Sequence, residues 1–276
     1  MSIKYAYLGP AGTFTEAALQ KIATASDQLI AYANVTAALD AVRNGQCQKA
    51  LVPIENSVEG VVARTLDELA IGQPLVITAE TTLPVSFFLM TLSNTNPAEI
   101  KSIATHPHAE SQCRSFIARN YPNAQVIESS STAAAAKGLS KGDYDAAIAG
   151  SNAAKNYDLK VVAENIGDNV GAVTRFVLVE KPGNQPKATG KDRTSLAVFI
   201  ALDHAGALLE ILNEFAKHQV NLTFIQSRPT GSQLGHYHFI IDAEGHIEDK
   251  PISAALAGLK EICEDIRFLG TYQRNV

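Results

Sequence analysis

The chain has 276 residues, 46% of them hydrophobic and 18% charged, a composition typical of a globular protein long enough for about two domains. Its 23 Lys and Arg residues against 28 Asp and Glu residues give a formal net charge of -5, which argues against a nucleic-acid-binding or membrane-surface protein. Three widely spaced cysteines suggest neither a disulfide framework nor a zinc site, and with no signal peptide and no long apolar run they favour the cytoplasm.

Strand-like and helix-like patterns alternate over residues 1–180, and this alternation predicts an α/β architecture. The strand-like runs are residues 3–8, 50–54, 100–105, 146–149 and 173–180. One helix start is especially clear, because Thr13 and Glu16 have the spacing of a capping box. The predicted helix continues behind it with an apolar face formed by Phe14, Ala17, Ala18, Ile22 and Ala25.

Residues 181–191 form a predicted linker, because apolar periodicity gives way there to Pro, Gly and Lys. Behind the linker the patterns predict the order βαββαβ, which is the ferredoxin-like arrangement. The predicted strands are residues 194–202, 221–228, 236–242 and 266–271, and the apolar helix positions run over 208–215 and 252–263. Helices cover only one sheet face in such a domain, so we expect a second copy of the chain to cover the other.

Polar residues at the end of a predicted strand mark a first candidate site. Glu55, Asn56 and Ser57 lie where a buried strand is expected to pass into a helix at residues 61–69. Ligands of open α/β sheets bind outside the carboxyl ends of the strands, which favours a binding site here. The alternative is that Asn56 and Ser57 only cap the helix and that Glu59 is a solvated acid in its first turn.

A second candidate site follows the predicted strand that ends at Thr105. His106 and His108 could belong to a metal site, but no third ligand is spaced nearby, and a hydrogen-bonding role is favoured. His108 and Gln112 are four residues apart and therefore share a helical face. The turn before Thr13 could bind a carboxylate at a helix N-terminus, although a tight turn alone explains its glycines and no dinucleotide-binding motif is present.

The last predicted strand of this region places Thr174 and Phe176 on one face and Arg175 on the other. Arg175 is then either a structural pair partner or a clamp for an anionic substrate. A strand threonine usually reflects β-propensity, so these residues gain weight only from the motifs that accompany them.

Five segments taken together resemble the motifs of the prephenate dehydratase family in order and spacing. They are residues 9–14 (GPAGTF), 53–60 (PIENSVEG), 105–113 (THPHAESQC), 131–132 (ST) and 174–176 (TRF). The part behind the linker resembles the ACT regulatory domain, with residues 206–208 and 226–229 at its two effector motifs. The chain departs from the family at His108, Ala172 and Gln226, where Gln, Asn and Glu are common.

The resemblance implies a catalytic domain at residues 1–180, built of two periplasmic-binding-protein-like lobes around a cleft. The second lobe, roughly residues 78–160, is inserted into the first, and the linker at 181–191 leads to an ACT domain at 192–276. Because no room precedes the first strand for a chorismate mutase domain, we expect a monofunctional enzyme.

The reaction implied by the resemblance is the decarboxylative dehydration of prephenate to phenylpyruvate in L-phenylalanine biosynthesis, the work of a carbon–oxygen lyase. Loss of carboxylate and hydroxyl makes the ring aromatic, so neither a redox cofactor nor a metal is required. The expected catalytic residues are Thr174, Glu55, Asn56 and Gln112. We expect Thr174 to donate to the leaving hydroxyl, and Glu55 either to orient the substrate or to serve as the acid instead. The expected substrate contacts are Thr13, Ser57, Thr105, His106, Arg175 and Phe176.

The resemblance also implies feedback inhibition by L-phenylalanine, bound between the ACT domains of a homodimer or homotetramer. The expected effector contacts are Gly206, Ala207, Leu208, Asn221, Leu222, Gln226, Ser227, Arg228 and Pro229. Free amides at the start of a helix would receive the ligand carboxylate, and Asn221 would accept from its ammonium. The alternatives are an arogenate dehydratase and a non-catalytic amino-acid sensor with the same two parts.

Overall fold

The computed structural model describes residues 2–183, 185–200, 204–231 and 237–275. In chain order its strands and α-helices are β1 (Lys4–Leu8), α1 (Phe14–Leu19), β2 (Gln28–Tyr32), α2 (Val35–Arg43), β3 (Lys49–Asn56), β4 (Gly60–Val61), α3 (Ala63–Ala70), β5 (Val76–Pro84), β6 (Phe88–Thr91), β7 (Ser102–Thr105), α4 (Pro107–Gln112), α5 (Arg114–Asn120), β8 (Gln125–Glu128), α6 (Thr132–Leu139), β9 (Ala146–Ala149), α7 (Ser151–Tyr157), β10 (Lys160–Ala163), β11 (Val173–Glu180), β12 (Asp192–Ile200), α8 (Ala207–Lys217), β13 (Leu222–Pro229), β14 (Tyr237–Glu244), α9 (Lys250–Ile262) and β15 (Cys263–Gln273). A short 3₁₀-helix spans Pro97–Glu99. None of the described helices combines the length and apolar character needed to cross a bilayer.

Two compact units make up the chain, and each is assembled from several segments. The first comprises Met1–Ala38, Leu51–Val62 and Thr82–Phe176, and the second comprises Leu39–Ala50, Ala63–Thr81 and Val177–Val276. The second unit therefore combines the expected ACT domain with three segments of the expected catalytic domain, residues 39–50, 63–81 and 177–180.

Two sheets define the α/β lobes. The larger has the strand order β2-β1-β3-β11-β5, with β4 paired to β3 and β1 parallel to β2. The smaller has the order β10-β6-β9-β7-β8, in which β7 is parallel to β8 and β9 while β6 is antiparallel to β9 and β10. Every strand of the smaller sheet lies between β5 and β11 in the sequence. One lobe is thus inserted into the other, which confirms the predicted periplasmic-binding-protein-like architecture.

Small side chains allow the helices of the inserted lobe to approach its sheet closely. All four residues of β9 are buried, and three of them are alanine. Ala135, Ala136 and Leu139 of α6 are buried in the same apolar cluster as Ala147 and Ala149. The alanine-rich sequence is therefore a core-packing feature of this lobe.

The ferredoxin-like order βαββαβ is confirmed. Its antiparallel sheet has the order β13-β14-β12-β15, and apolar residues from α8 and α9 pack on one face. The predicted strand ends at 201–202 and at 236, and the connecting residues 232–235, lie outside the described residues. The last strand is longer than expected, because β15 already begins at Cys263.

The opposite face of this sheet is covered by the same chain, so the expectation that a second copy must cover it is wrong. Ala197, His238 and Ile240 on that face are all buried. The Arg267 guanidinium donates to the Gly72 carbonyl at 2.7 Å. A Cβ atom on Gly270 would collide with the backbone of Ile77. Residues 63–81, which share a unit with the sheet, therefore provide the cover.

Two local predictions need correction. The strand β3 does not pass directly into a helix, because residues 56–60 turn back as a hairpin in which Asn56 pairs with Gly60, and α3 begins only at Ala63. Gly60 has φ +81°, a conformation that favours glycine.

The first helix is also shorter than predicted, since α1 ends at Leu19 and excludes Ile22 and Ala25. The Asp27 carboxylate accepts hydrogen bonds from the Thr24 and Ile3 amides. These bonds fold the following segment into a turn that leads to β2.

Candidate active site

Asn56 occupies the centre of the candidate site, at the end of β3. Its Oδ1 accepts from the backbone amides of Val58 at 2.8 Å and Glu59 at 2.9 Å. Its Nδ2 donates to Thr174 Oγ1 on β11 at 2.8 Å. One amide group therefore shapes the hairpin and positions the threonine hydroxyl, a relationship that neither the binding-site prediction nor the helix-cap alternative included.

Thr174 is 8% exposed, and its oxygen serves as the acceptor for Asn56. No recorded contact among the described residues uses its hydroxyl hydrogen. A hydroxyl that already accepts from a fixed amide directs its own hydrogen away from that amide. Thr174 is thus geometrically suited to donate to a bound oxygen, as the sequence suggested.

Glu55 and Arg175 form an ion pair, with Oε2 and Nε 3.1 Å apart. Arg175 is 9% exposed, so its guanidinium is largely buried beside the carboxylate. This geometry agrees with the structural-pair alternative for Arg175. Glu55 Oε2 accepts from the Arg175 Nε–H, and this fixed contact supports an orienting role for Glu55 over the acid role.

Ser57 fastens the hairpin to β11 through both of its polar groups. Its amide donates to the Val173 carbonyl, and its hydroxyl oxygen accepts from the Val173 amide, each at 2.9 Å. The side chain expected to contact substrate therefore also fixes the strand that carries Thr174.

Helix α4 brings a second set of predicted residues to the hairpin. Gln112 is 5% exposed, and its Nε2 donates to Glu59 Oε1 at 2.8 Å. The other oxygen of Glu59 lies 3.7 Å from Nδ1 of His108. Glu59 is therefore a bonded partner of α4 and not the solvated first-turn acid of the alternative interpretation.

His106 caps α4, because its Nδ1 accepts from the His108 amide at 3.2 Å. Burial, together with the neighbouring His108 ring, lowers the pKa of the His106 imidazole. A neutral ring that accepts at Nδ1 carries its hydrogen at Nε2. His106 can thus offer an N–H donor at Nε2, and its contact with the substrate stays a prediction.

Three residues predicted to contact the substrate have side chains that are engaged elsewhere in the structure. Thr105 is 1% exposed, and its hydroxyl donates to the Ile148 carbonyl at 2.9 Å. Thr13 donates to the Leu8 carbonyl at 3.0 Å while its oxygen caps α1. The hydroxyl hydrogen of each threonine is therefore already donated to a backbone carbonyl, so it is not available to a substrate carboxylate. Phe176 is 1% exposed and packs in the core instead of offering a surface to the substrate ring.

A buried carboxylate at Glu16 is the feature that sequence reasoning most clearly missed. It accepts from the Tyr7 hydroxyl at 2.9 Å and the Gly12 amide at 2.7 Å. Asn152 and Asn156 of α7 donate to it at 2.9 and 2.8 Å. Burial, together with the charge of Glu16, raises the pKa of the Tyr7 hydroxyl. The capping-box spacing marked the residue, but its partners on α7 lie far away in sequence.

The predicted effector residues occupy two parts of the ferredoxin-like domain. Gly206 precedes α8 with φ +101°, so the turn that opens the helix is present as expected. Ala207 is buried and Leu208 is 37% exposed. Asn221 donates to Glu244 Oε2 at 3.0 Å, and Leu222 packs against the apolar core.

The second effector segment is part of strand β13. Gln226 and Arg228 pair across to Ile240 and His238, which places them on the sheet face opposite α8 and α9. Arg228 binds Asp67 of α3, so its guanidinium is not available to an effector on the helical face. Ser227 and Pro229 are exposed, and Gln226 donates to the Ser227 carbonyl at 3.0 Å.

The fold and the contacts define a two-lobed α/β protein with an attached ACT domain. A family model described as prephenate dehydratase matches residues 5–184, and one described as ACT domain matches residues 194–261. The chain belongs to the prephenate dehydratase family.

Individual relatives show how far the likeness extends. A prephenate dehydratase of Amycolatopsis methanolica is 45% identical over 272 residues, covering 98% of this chain and 88% of the relative. The crystal structure of a prephenate dehydratase from Arthrobacter aurescens in complex with L-Phe has a TM-score of 0.93 at 49% identity, over 99% of this chain and 90% of that one. A structure of GqqA, described as a novel type of quorum quenching acylase, has a TM-score of 0.87 at 26% identity, over 99% of this chain and 98% of that one.

Proposed function

We propose that this protein is a prephenate dehydratase, which converts prephenate to phenylpyruvate, carbon dioxide and water. The observation that carries the proposal is the contact between Asn56 Nδ2 and Thr174 Oγ1. It leaves a fixed hydroxyl donor on β11, next to the hairpin whose Glu59 contacts α4. The family membership and the chemistry of these groups point to the same reaction.

In this reaction the bond from the ring to the carboxylate breaks, and its electron pair enters the ring as the 4-hydroxyl departs. The departing oxygen gains negative charge and needs a donor. A threonine hydroxyl is a weak acid, but a positioned donor at an oxygen that develops charge contributes about 10²- to 10⁴-fold in rate. Thr174 has this role in our proposal, and Asn56 sets its orientation.

The substrate carries two carboxylates, so its site needs donors without excess negative charge. Gln112 provides an amide, and His106 provides a neutral N–H. Arg175 compensates the charge of Glu55, which limits the repulsion between that carboxylate and a dianion. The proposed roles are therefore orientation for Glu55 and hydrogen bonding for Gln112 and His106.

The decisive measurement is phenylpyruvate formation from prephenate by the wild-type protein and by Thr174 variants. Thr174→Ala should fold normally and lose at least about 100-fold in kcat, because it removes the donor. Thr174→Ser should retain more activity. Ser111→Ala on α4 is the matched control, since its hydroxyl donates only to the His108 carbonyl.

Wild-type kcat in a folded Thr174→Ala variant would exclude the proposed role of Thr174. Binding of prephenate without turnover would instead favour the non-catalytic sensor. Comparison of kcat/KM for prephenate and arogenate distinguishes the two dehydratase activities. The likeness to GqqA makes direct assay of turnover necessary, because related folds can carry different chemistry.

L-Phenylalanine is the proposed feedback inhibitor. Support comes from the ACT-domain match and from the L-Phe complex of the Arthrobacter aurescens relative. The turn at Gly206 and the exposed Ser227 remain proposed contacts, in a homodimer or homotetramer joined through the ACT domains. Calorimetry with L-phenylalanine and sedimentation with and without it test both parts. Absence of binding at millimolar ligand would exclude the regulation.

A cytoplasmic location is proposed with this function. The cysteines Cys47, Cys113 and Cys263 are all free thiols, which suits a reducing compartment.

A further inference from the structure

We infer that Glu59 is a specificity-determining residue: it holds the Gln112 amide and places a negative charge where a substrate carboxylate has to bind. The inference rests on the proposed function, because it concerns the substrate that reaches Gln112. It begins from the 2.8 Å contact between Gln112 Nε2 and Glu59 Oε1.

The backbone of Glu59 is held in place by a hydrogen bond to the candidate catalytic residue Asn56. The Glu59 amide donates to Asn56 Oδ1 at 2.9 Å, and the same Asn56 side chain donates to Thr174. The backbone of Glu59 is therefore held beside the candidate catalytic residues. The Glu59 side chain remains 29% exposed, so it can move when another acceptor arrives.

Gln112 has few alternatives to this acceptor. The residue is 5% exposed, and a buried amide N–H without a partner is unfavourable. A carboxylate from Glu59 and a carboxylate from substrate are equivalent acceptors for this donor. Glu59 thus keeps the amide oriented for a carboxylate and is displaced when the substrate brings one.

Displacement leaves a negative charge close to the substrate. His108 Nδ1 lies 3.7 Å from Glu59 Oε2, but its side chain is 66% exposed and well solvated, so it offsets this charge only weakly. The remaining charge disfavours a dianion such as prephenate. It disfavours arogenate less, because the ammonium group of that amino analogue reduces the net negative charge.

The test compares kcat/KM for prephenate with kcat/KM for arogenate, expressed as a ratio. In Glu59→Gln the amide oxygen still accepts from Gln112 but the charge is gone, so the ratio should rise about fivefold through KM for prephenate. Glu59→Asp keeps the charge and should keep the wild-type ratio. Glu110→Gln is the matched control, because it removes an acid of α4 that pairs with Arg114 and not with Gln112.

An unchanged ratio in folded Glu59→Gln would overturn the inference. If that variant fails to fold, the wild-type protein still decides the matter: raising the salt concentration from about 20 mM to about 200 mM should raise the ratio by screening Glu59. A flat or falling ratio would contradict the proposal. A wild-type protein that turns over neither substrate would instead exclude the proposed function itself.

Discussion

Arg228 of β13 and Asp67 of α3 form a two-point ion pair, with Nε–Oδ1 at 2.8 Å and Nη2–Oδ2 at 2.7 Å. Arg228 belongs to the predicted effector segment. In the sequence, Asp67 lies a few residues after the hairpin that carries Asn56 and Glu59. The pair therefore joins an ACT strand to the helix that follows this hairpin.

Asp67→Asn is expected to weaken inhibition by L-phenylalanine while leaving uninhibited kcat close to the wild-type value. Coupling free energies between sites are typically about 1–3 kcal/mol, so the concentration for half inhibition should rise by about fivefold or more. Both side chains are partly exposed, so the loss of stability should stay below about 1 kcal/mol. Inhibition curves measure the first effect, and thermal unfolding measures the second.

Glu248→Gln is a suitable control, because its side chain is 80% exposed on the same unit. Unchanged inhibition in Asp67→Asn would show that the connection carries no coupling.

His238 should make the ACT unit sensitive to acid. The residue is completely buried and stacks on Phe199, and among the described residues neither ring nitrogen has a hydrogen-bond partner. Burial lowers the pKa of His238 below 6.5, although Asp67 opposes this and Arg228 and Arg267 reinforce it. The unfolded chain therefore binds the proton more readily, and stability falls as pH drops below about 6.5.

His238→Leu removes this titration. The melting temperature of the variant minus that of wild type should be larger at pH 5 than at pH 7.5, and circular dichroism can measure both. His218→Gln provides the control, because His218 is partly exposed and pairs with Glu214. A difference that does not depend on pH would contradict the assignment of acid sensitivity to His238.

Glu16 should be essential to the stability of the first unit. Glu16→Ala would leave the Tyr7, Asn152 and Asn156 donors without their acceptor, at an expected cost of about 3–5 kcal/mol. Glu16→Gln keeps an acceptor and should cost less. Urea denaturation followed by circular dichroism is appropriate, because the chain has no tryptophan.

Glu110→Ala on partly exposed α4 should change stability by less than about 0.5 kcal/mol. A Glu16→Ala variant no less stable than this control would show that the four contacts add little.

Local patterns in the sequence were sufficient for several elements. The predicted runs 146–149 and 173–180 correspond to β9 and β11 with the same bounds. Short continuous runs of apolar or β-branched residues are typical of strands that are buried on both faces. The order βαββαβ also followed from periodicity and turn residues.

The missed features depend on partners distant in sequence. Nothing near Glu59 indicates that Gln112 will donate to it, and Glu16 is bonded to Asn152, which lies 136 residues away in the sequence. The cover over the ACT sheet comes from residues 63–81, of which the sequence predicted only a helix and not the surface that these residues meet. Composition alone could not have revealed these pairings.

The side chain of Asn56 combines an acceptor oxygen with a donor nitrogen, which no other side chain of its size offers in this arrangement. It accepts two backbone hydrogen bonds at its oxygen and gives one to Thr174 from its nitrogen. Hydrolysis of this side chain, which takes up water, releases ammonia and turns the amide into an acid, would preserve both accepting contacts and reverse the third. Thr174 would then donate its hydrogen to residue 56. Slow deamidation of Asn56 would then inactivate a protein molecule that is still folded.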